Sequence, residues 1–378
     1  MISYGIATFG LDEGKCPKWL FERMVKLSRK VIYLMAKEYS SEEIIKRLAD
    51  PVWFQSLGTV LAFDWNSSGL TTILTAALKE AIRGDEKDLG IFICGGKGKT
   101  SKKTPDEILA WGNVLGFDLE KAKSLVYNSK MAAKVDSALI QDGFQIYHHT
   151  FIFSKNGSWA VIQQGMNTKN QTARRYHWYS DSLKFHSPLT GSKKLVLEPH
   201  LGVISQKRFK NVLNLTKKES EPTQKLSVEL VNQNFYALIK DIKILEKYST
   251  ELNQMVKVKN DKKELTLLNL ENKEYHFHPV VRENFFKNKY LYKILFNLTE
   301  IKPKNYEELL SIYGVGPKTI RALALVSEVI YGAKPSYQDP ARYGFAFGGK
   351  DKTPYPVDRK TYDKTIEILN KVKLESIY

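Results

Sequence analysis

The chain has 378 residues, enough for roughly two or three domains with buried cores, and its 58 Lys and Arg against 41 Asp and Glu give a net charge of +17. So large a surplus favours a polyanionic partner, either nucleic acid or an anionic membrane surface. No apolar run approaches the roughly 20 residues that span a bilayer, the opening MISYGIATFG lacks the basic start and long apolar stretch of a secretory leader, and Cys16 and Cys94 build neither a disulfide framework nor a zinc site; a cytoplasmic protein without a membrane partner is expected.

In chain order, Trp19 to Arg83 reads as mostly helical, interrupted at Pro51 and broken at FDWNSSGLTT. LGIFIC (89–94) is a short apolar strand that runs into a basic loop, GGKGKT (95–100). A nucleotide-binding P-loop needs a glycine five residues before Gly98, where Ile93 stands, and a helix opening at the lysine, so no nucleotide cofactor is expected. Lys97 and Lys99 remain candidates for phosphate contact. Thr104-Pro105-Asp106-Glu107 has the form of a capping box and predicts a helix start.

From Phe144 to Met166 the pattern turns to β. Two aromatic and β-branched runs flank Asn156-Gly157, a two-residue hairpin signal. With that turn, Lys155 pairs with Ser158, Thr150 stands opposite Gln163 and His149 opposite Gln164, and Phe151, Phe153, Ile162 and Ala160 share the core face. A further strand is expected over Lys194 to Leu197, and the polar segment QKRFKNVLNLTKKESEPTQ marks a boundary near residue 220. A long amphipathic helix from Lys225 to about Lys257, a Lys/Asn-rich stretch and a helical block from about residue 286 complete the chain. The expected fold is α+β: an N-terminal α/β module with a β-hairpin (1–220), a helical connector (221–285) and a helical C-terminal block (286–378).

Five of the seven histidines fall between His148 and His200. In the pairing above, His149 and Gln164 meet at the open end of the hairpin, close to Asp142. A carboxylate, an imidazole and an amide there form a candidate site for a divalent metal, Mg or Mn, with Asp142 and His149 as ligands, Asp136 and Glu198 as spare carboxylates and His148 as a general base. The alternative is a polar hairpin end hydrogen-bonded for packing. Downstream, Arg174 and Arg175 lie beside Tyr176, His177, Trp178 and Tyr179, a mixture suited to unpaired nucleotides or, alternatively, to a strand with a buried tryptophan.

Near the C-terminus, ELLSIYGVGPKTIRALALVSEVIYG places two apolar helical runs around GVGPKT. Gly314 and Gly316 permit a tight turn, Pro317 suits a first helical position, and Lys318, Thr319 and Arg321 lie in the first turn of the second helix, whose free amides form an anion site. This stretch resembles the helix-hairpin-helix of DNA-repair proteins, which grips the sugar-phosphate backbone. Asp358 in TPYPVDRK reads as a helix cap, yet with Lys318 it also resembles the aspartate and lysine of helix-hairpin-helix glycosylases of the endonuclease III type, and that resemblance implies an abasic-site lyase.

The β-hairpin is similar to that of restriction-type metal nucleases, with Gln164-Gly165-Met166 where those enzymes carry Glu-x-Lys. Over its whole length, through CGGKGKTSKKTPDEI, DGFQIYHHTFIF, WAVIQQGMN and ARRYHW, the chain resembles the domain-of-unknown-function family DUF763, and what this implies is DNA processing. The resulting expectation is a DNA-processing enzyme, a metal-dependent deoxyribonuclease that holds DNA through the C-terminal turn, with an abasic-site lyase or a non-catalytic, structure-selective DNA binder as alternatives.

Overall fold

The computed structural model describes residues 16–61, 67–168, 172–183, 194–205, 208–249, 257–260, 263–266, 289–341 and 359–371. The first helices are α1 (Lys18–Glu38), α2 (Ser41–Ala49), α3 (Pro51–Val60) and α4 (Ser67–Ala81), with a short α5 (Glu86–Leu89). Their boundaries follow from capping. Ser40 accepts from the amide of Glu43, and the Asp50 carboxylate accepts from the amides of Val52 and Trp53 while Pro51 opens α3. KRLADP therefore ends one helix and begins the next.

Strand β1 (Ile91–Lys97) leads through a tight turn (Gly98–Lys103) into α6 (Thr104–Val114) and α7 (Leu119–Ala138). Then come β2 (Ile140–Gln141), β3 (Gln145–Ser154), β4 (Trp159–Asn167), β5 (Thr172–Tyr179), β6 (His200–Ser205) and β7 (Leu213–Asn214). The central sheet has five antiparallel strands in the order β1-β3-β4-β5-β6, and β2 pairs with β7 beside it. Helices α8 (Glu221–Asn232) and α9 (Phe235–Ser249) precede a two-stranded ribbon, β8 (Lys257–Asn260) and β9 (Lys263–Thr266). The chain continues with α10 (Lys289–Ile301), α11 (Tyr306–Ser311), α12 (Pro317–Leu325) and α13 (Arg359–Lys371). The fold is α+β, and no helix among the described residues is long and apolar enough to cross a membrane.

Both faces of the sheet are buried. On the first face, Ile91, Ile93, Ile152, Ala160, Ile162 and Tyr179 pack against α1 to α4. The C-terminal helix α13 joins that side: Tyr362 is buried there and Asp363 pairs with Arg23 of α1. On the second face, Phe92, Cys94, Phe151, Phe153, Trp159, Val161 and Trp178 pack under α6 and α7, and the same core continues without a break into α8 to α12. Lys134 of α7 fastens that continuation by donating to the carbonyls of Leu310, Ser311 and Ile312 at the end of α11.

Several local expectations are corrected. Residues Gly95 to Lys97 extend β1, where they pair with Thr150, His149 and His148, and are not loop. The α6 start is where the sequence places it, but no capping box forms. The Thr104 hydroxyl donates to Ser101, and Glu107 instead accepts from the Gly95 amide (2.8 Å) and the Lys79 ammonium (2.6 Å). Residues 194–197 do not form a strand, bends covering 195–198; Leu195 is buried and its amide donates to the Glu307 carboxylate. The long helix from Lys225 is two, α8 and α9, separated at Gln233-Asn234, where the Asn234 side chain accepts from the Tyr236 amide.

The hairpin register is shifted by one residue from the expectation. Ser154 and Ser158 close a three-residue turn, Lys155 to Gly157: the Ser154 amide donates to Ser158 (2.9 Å), the Gly157 amide donates to Ser154 (3.1 Å), and Gly157 has φ 97°. His149 therefore faces Gln163 and His148 faces Gln164. A one-residue slip exchanges the faces. Phe151 and Phe153 share their side with Val161 and Trp159, while Ile162 and Ala160 join the opposite core.

Gly95 is the tightest point of this arrangement. Its φ is 86°, and a Cβ there would lie 2.3 Å from the His149 carbonyl oxygen and 2.4 Å from Thr104 Oγ1. We expect Gly95→Ala to lower stability by about 2–4 kcal/mol through strain and overpacking; an unchanged thermal melt would show that β1 does not enter the sheet this way.

Candidate functional site

On the second face, α7 delivers Asp136 to the middle of the sheet. Its carboxylate is fully buried and accepts from Gln163 Nε2 (2.5 Å), Trp178 Nε1 (3.0 Å) and His200 Nε2 (2.5 Å). Because Gln163 donates to Asp136, its carbonyl oxygen is the atom that faces His149 Nδ1, at 2.9 Å. His149 therefore donates from Nδ1, and Nε2 accepts from the Ser129 hydroxyl at 2.8 Å. Burial lowers the His149 pKa against the raising influence of Gln163 and Asp136.

Asp142 belongs to a neighbouring cluster. It accepts from Arg174 (2.8 Å), the Tyr176 hydroxyl (2.7 Å) and the Phe144 amide (3.0 Å), and Arg174 also donates to Asp339 at 2.8 Å. Burial, with Asp339, raises the Asp142 pKa on balance, against the lowering influence of Arg174, the Phe144 amide and the Tyr176 hydroxyl.

These contacts correct the expected metal site. Asp142 and His149 do not converge: a guanidinium neutralises the first, and protein groups engage both ring nitrogens of the second. Among the described residues no cluster of three His, Cys, Asp or Glu is arranged to hold a metal. Gln164 lies on the opposite face of the sheet from Asp142, and Glu198, at positive φ (42°), pairs with Lys217. Arg174 and Arg175 are corrected too. Both are fully buried, so neither offers its guanidinium to a nucleic acid at the surface.

On the first face, Lys97, His148, Gln164 and Arg175 form one cross-strand row through β1, β3, β4 and β5. Helix α4 covers it. His148 Nε2 lies 3.2 Å from the Thr75 hydroxyl and 2.9 Å from that of Thr150, Arg175 donates to Thr71 Oγ1 (3.3 Å) and Gln55 Oε1 (3.0 Å), and Thr71 donates to Gln164. Burial, with smaller contributions from His149 and Lys97, pushes the His148 pKa down to about 3, far below what a general base at neutral pH requires. Lys97 and Lys99 are exposed.

The glycine turn lies between α11 and α12. Gly314 has φ 87°, and a Cβ there would strike Ile294 Cδ1 at 2.3 Å, so glycine is needed for the fold. Gly316 differs. Its backbone is extended (φ −147°), and a Cβ would meet nothing within 4 Å. It is the N-cap of α12, and among the described residues no side-chain cap hydrogen bond is made to the helix's first amides. Lys318 is exposed beside it, whereas Thr319 is buried and Arg321 turns inward to donate to Gln141 Oε1 at 2.6 Å. Gln141 also donates to the Pro317 carbonyl (3.0 Å), fixing the turn against β2. Asp358 lies outside the described residues; the helix that follows it packs on the first face of the sheet, with Arg359 over the Trp19 ring, across the sheet from α12.

Sequence reasoning missed Lys134, Gln141 and Tyr313. Tyr313 continues an apolar helical spacing and so reads as core, but α11 ends at Ser311 and leaves it 92% exposed at the turn.

The family described as "Protein of unknown function (DUF763)" matches residues 5–357, nearly the whole chain, and the chain belongs to that family. No curated protein and no solved structure matches it.

His148, His149 and His177 are all buried with lowered pKa values. An unfolded histidine takes up a proton near pH 6.5 and these do not, so the stability they confer is complete above that pH and lost as pH falls below it. Each contributes a slope of ~1.4 kcal/mol per pH unit in that window. We expect the melting temperature to fall steeply between about pH 6.5 and 4, and His148→Gln to flatten the fall; a flat profile in the parent protein would contradict neutral burial.

Proposed function

We propose that this member of the DUF763 family binds DNA through its phosphate backbone at the turn from Ile312 to Lys318, without reading base sequence. Gly316 carries the proposal. Neither conformation nor packing calls for glycine there, and what a missing side chain leaves is an open approach to the uncapped amides of α12. Lys318 adds a positive charge at that approach, the net charge of +17 favours a polyanion, and Tyr313 offers an exposed ring beside it. The resemblance of GVGPKT to the helix-hairpin-helix of DNA-repair proteins points the same way. Metal-dependent cleavage through Asp142 and His149 does not enter this reading, because protein donors already occupy both groups.

Gly316→Asp separates folding from binding. An aspartate at an N-cap accepts from the helix's own amides and stabilises the helix, by up to about 1 kcal/mol, while its charge repels a phosphate. We expect the variant to melt at or above the parent temperature and to lose at least tenfold in DNA affinity on duplexes of unrelated sequence. Parent-like affinity in a folded Gly316→Asp protein would remove the turn from the interface.

Lys318→Ala gives an independent measure. Losing one phosphate contact should reduce the slope of log affinity against log salt by about 0.9 on duplex DNA, which titrations at several salt concentrations read directly. An unchanged slope would place Lys318 outside the contact.

A further inference from the structure

The Tyr313 ring stands almost entirely in solvent, although an aromatic side chain carries a large apolar face that a fold ordinarily covers. The backbone sets it there: α11 ends at Ser311, Ile312 leaves the helical conformation, and Gly314, at φ 87°, turns the chain back toward α12. A second ring adjoins the turn. Tyr290 of α10 is 57% exposed, and its hydroxyl lies 3.0 Å from where a Cβ of Gly314 would be, next to the Ile294 side chain.

Basic groups flank both rings. Helical spacing puts Tyr290 and Ile294 on the stripe of α10 that faces the turn, and the exposed Lys289 and Lys293 on the stripe beside it. On the other side of Tyr313, Gly316 and the exposed Lys318 present the N-terminus of α12. Gly316 follows Tyr313 by three residues, so their Cα atoms are at most about 11 Å apart. A strand whose phosphate meets the α12 amides therefore brings a base within reach of the ring. The acidic Glu307 and Glu308 belong to the first turn of α11, at its far end, and both are engaged, Glu307 by Tyr127 and the Leu195 amide and Glu308 by the Lys304 amide.

We propose that the turn selects single-stranded over paired DNA, with a nucleobase stacked on Tyr313 and a neighbouring phosphate on the α12 amides. This rests on the reading that the turn binds DNA, and it names the class of DNA that the turn takes. In a duplex the faces of each base are covered by its neighbours in the stack, and only base edges reach the grooves. A ring held on the phosphate side of a duplex has nothing to stack on. An unpaired base offers its face, and every base has one, so stacking adds affinity without reading sequence. The α12 amides and Lys318 hold a backbone of either kind, since phosphate contacts do not depend on pairing. Charge at the turn thus supplies the common grip, and the Tyr313 ring, with Tyr290 along α10, supplies the preference for the unpaired strand.

The test uses the full chain and one labelled oligonucleotide, single-stranded or annealed to its complement, with affinities read by fluorescence anisotropy at a fixed salt concentration. A fluorescent adenine analogue placed in the single strand reports stacking on the ring by quenching. The parent protein should bind the single strand more tightly than the duplex and quench the analogue. Tyr313→Ala, at so exposed a position, should melt like the parent, lose single-strand affinity by about fivefold or more, lose the quenching and keep its duplex affinity. Tyr313→Trp should retain affinity and quenching, whereas Tyr313→Leu, apolar but without an aromatic face, should behave like the alanine variant. A parent protein that binds the two forms equally overturns the proposal, and so does a Tyr313→Ala protein that loses affinity equally for both or for neither. Gly316→Asp tells the two readings apart. Its loss of both forms beside a parent-like Tyr313→Ala leaves the phosphate contact standing and removes the stacking; its parent-like affinity beside a single-strand loss in Tyr313→Ala removes the phosphate contact and supports the unpaired strand. A parent protein that binds neither form removes both readings.

Discussion

The carboxylate of Asp136 fixes the position of the central helix on the sheet. It is fully buried, and it draws donors from three different strands: Gln163 of β4, Trp178 of β5 and His200 of β6. A buried charge is tolerated only when such donors surround it, so helix and strands can approach in only one register. Two residues earlier on α7, Lys134 holds the three carbonyls that end α11, with burial lowering its pKa. One helix thus sets both the polar centre of the sheet and the base on which the glycine turn stands.

The two sides of the sheet then serve different ends. The second side closes its polar groups on one another: Asp142 with Arg174 and Tyr176, His149 with Ser129 and Gln163. Such a network engages both carboxylate and imidazole with groups of the protein itself. On the first side, His148 Nδ1 and His177 Nε2 are buried with no hydrogen-bond partner among the described residues. Burial pushes the Arg175 pKa down to about 9, so the group still carries its charge at neutral pH.

The paired glycines of the turn divide in the same way. Gly314 is held by the fold, pressed against Ile294 with Tyr290 Oη 3.0 Å from where its Cβ would be. Gly316 is held by nothing in the fold, and its neighbours Tyr313 and Lys318 face solvent. Identical residues two positions apart therefore answer to different constraints, one of internal packing and one consistent with an external partner.

The sequence alone determined what local chemistry controls: the helix break at Asp50-Pro51, the start of α6 at Thr104-Pro105, the paired strands around Gly157, the glycine turn and the α+β class. These follow from capping, proline geometry and side-chain periodicity, each complete within a few residues. Register and partnership were not legible there. Asn156-Gly157 reads as a two-residue turn, and only packing of both sheet faces selects the three-residue turn that moves His149 from Gln164 to Gln163. The clustered histidines and acids were visible as a cluster, but whether Asp142 meets a metal or an arginine depends on Arg174 and Asp339, distant in sequence by 32 and by 197 residues. A carboxylate takes whichever cation the fold brings within reach, and burial strengthens that choice by excluding water, so the tertiary structure decided which side chains are spent on the fold and which remain for a ligand.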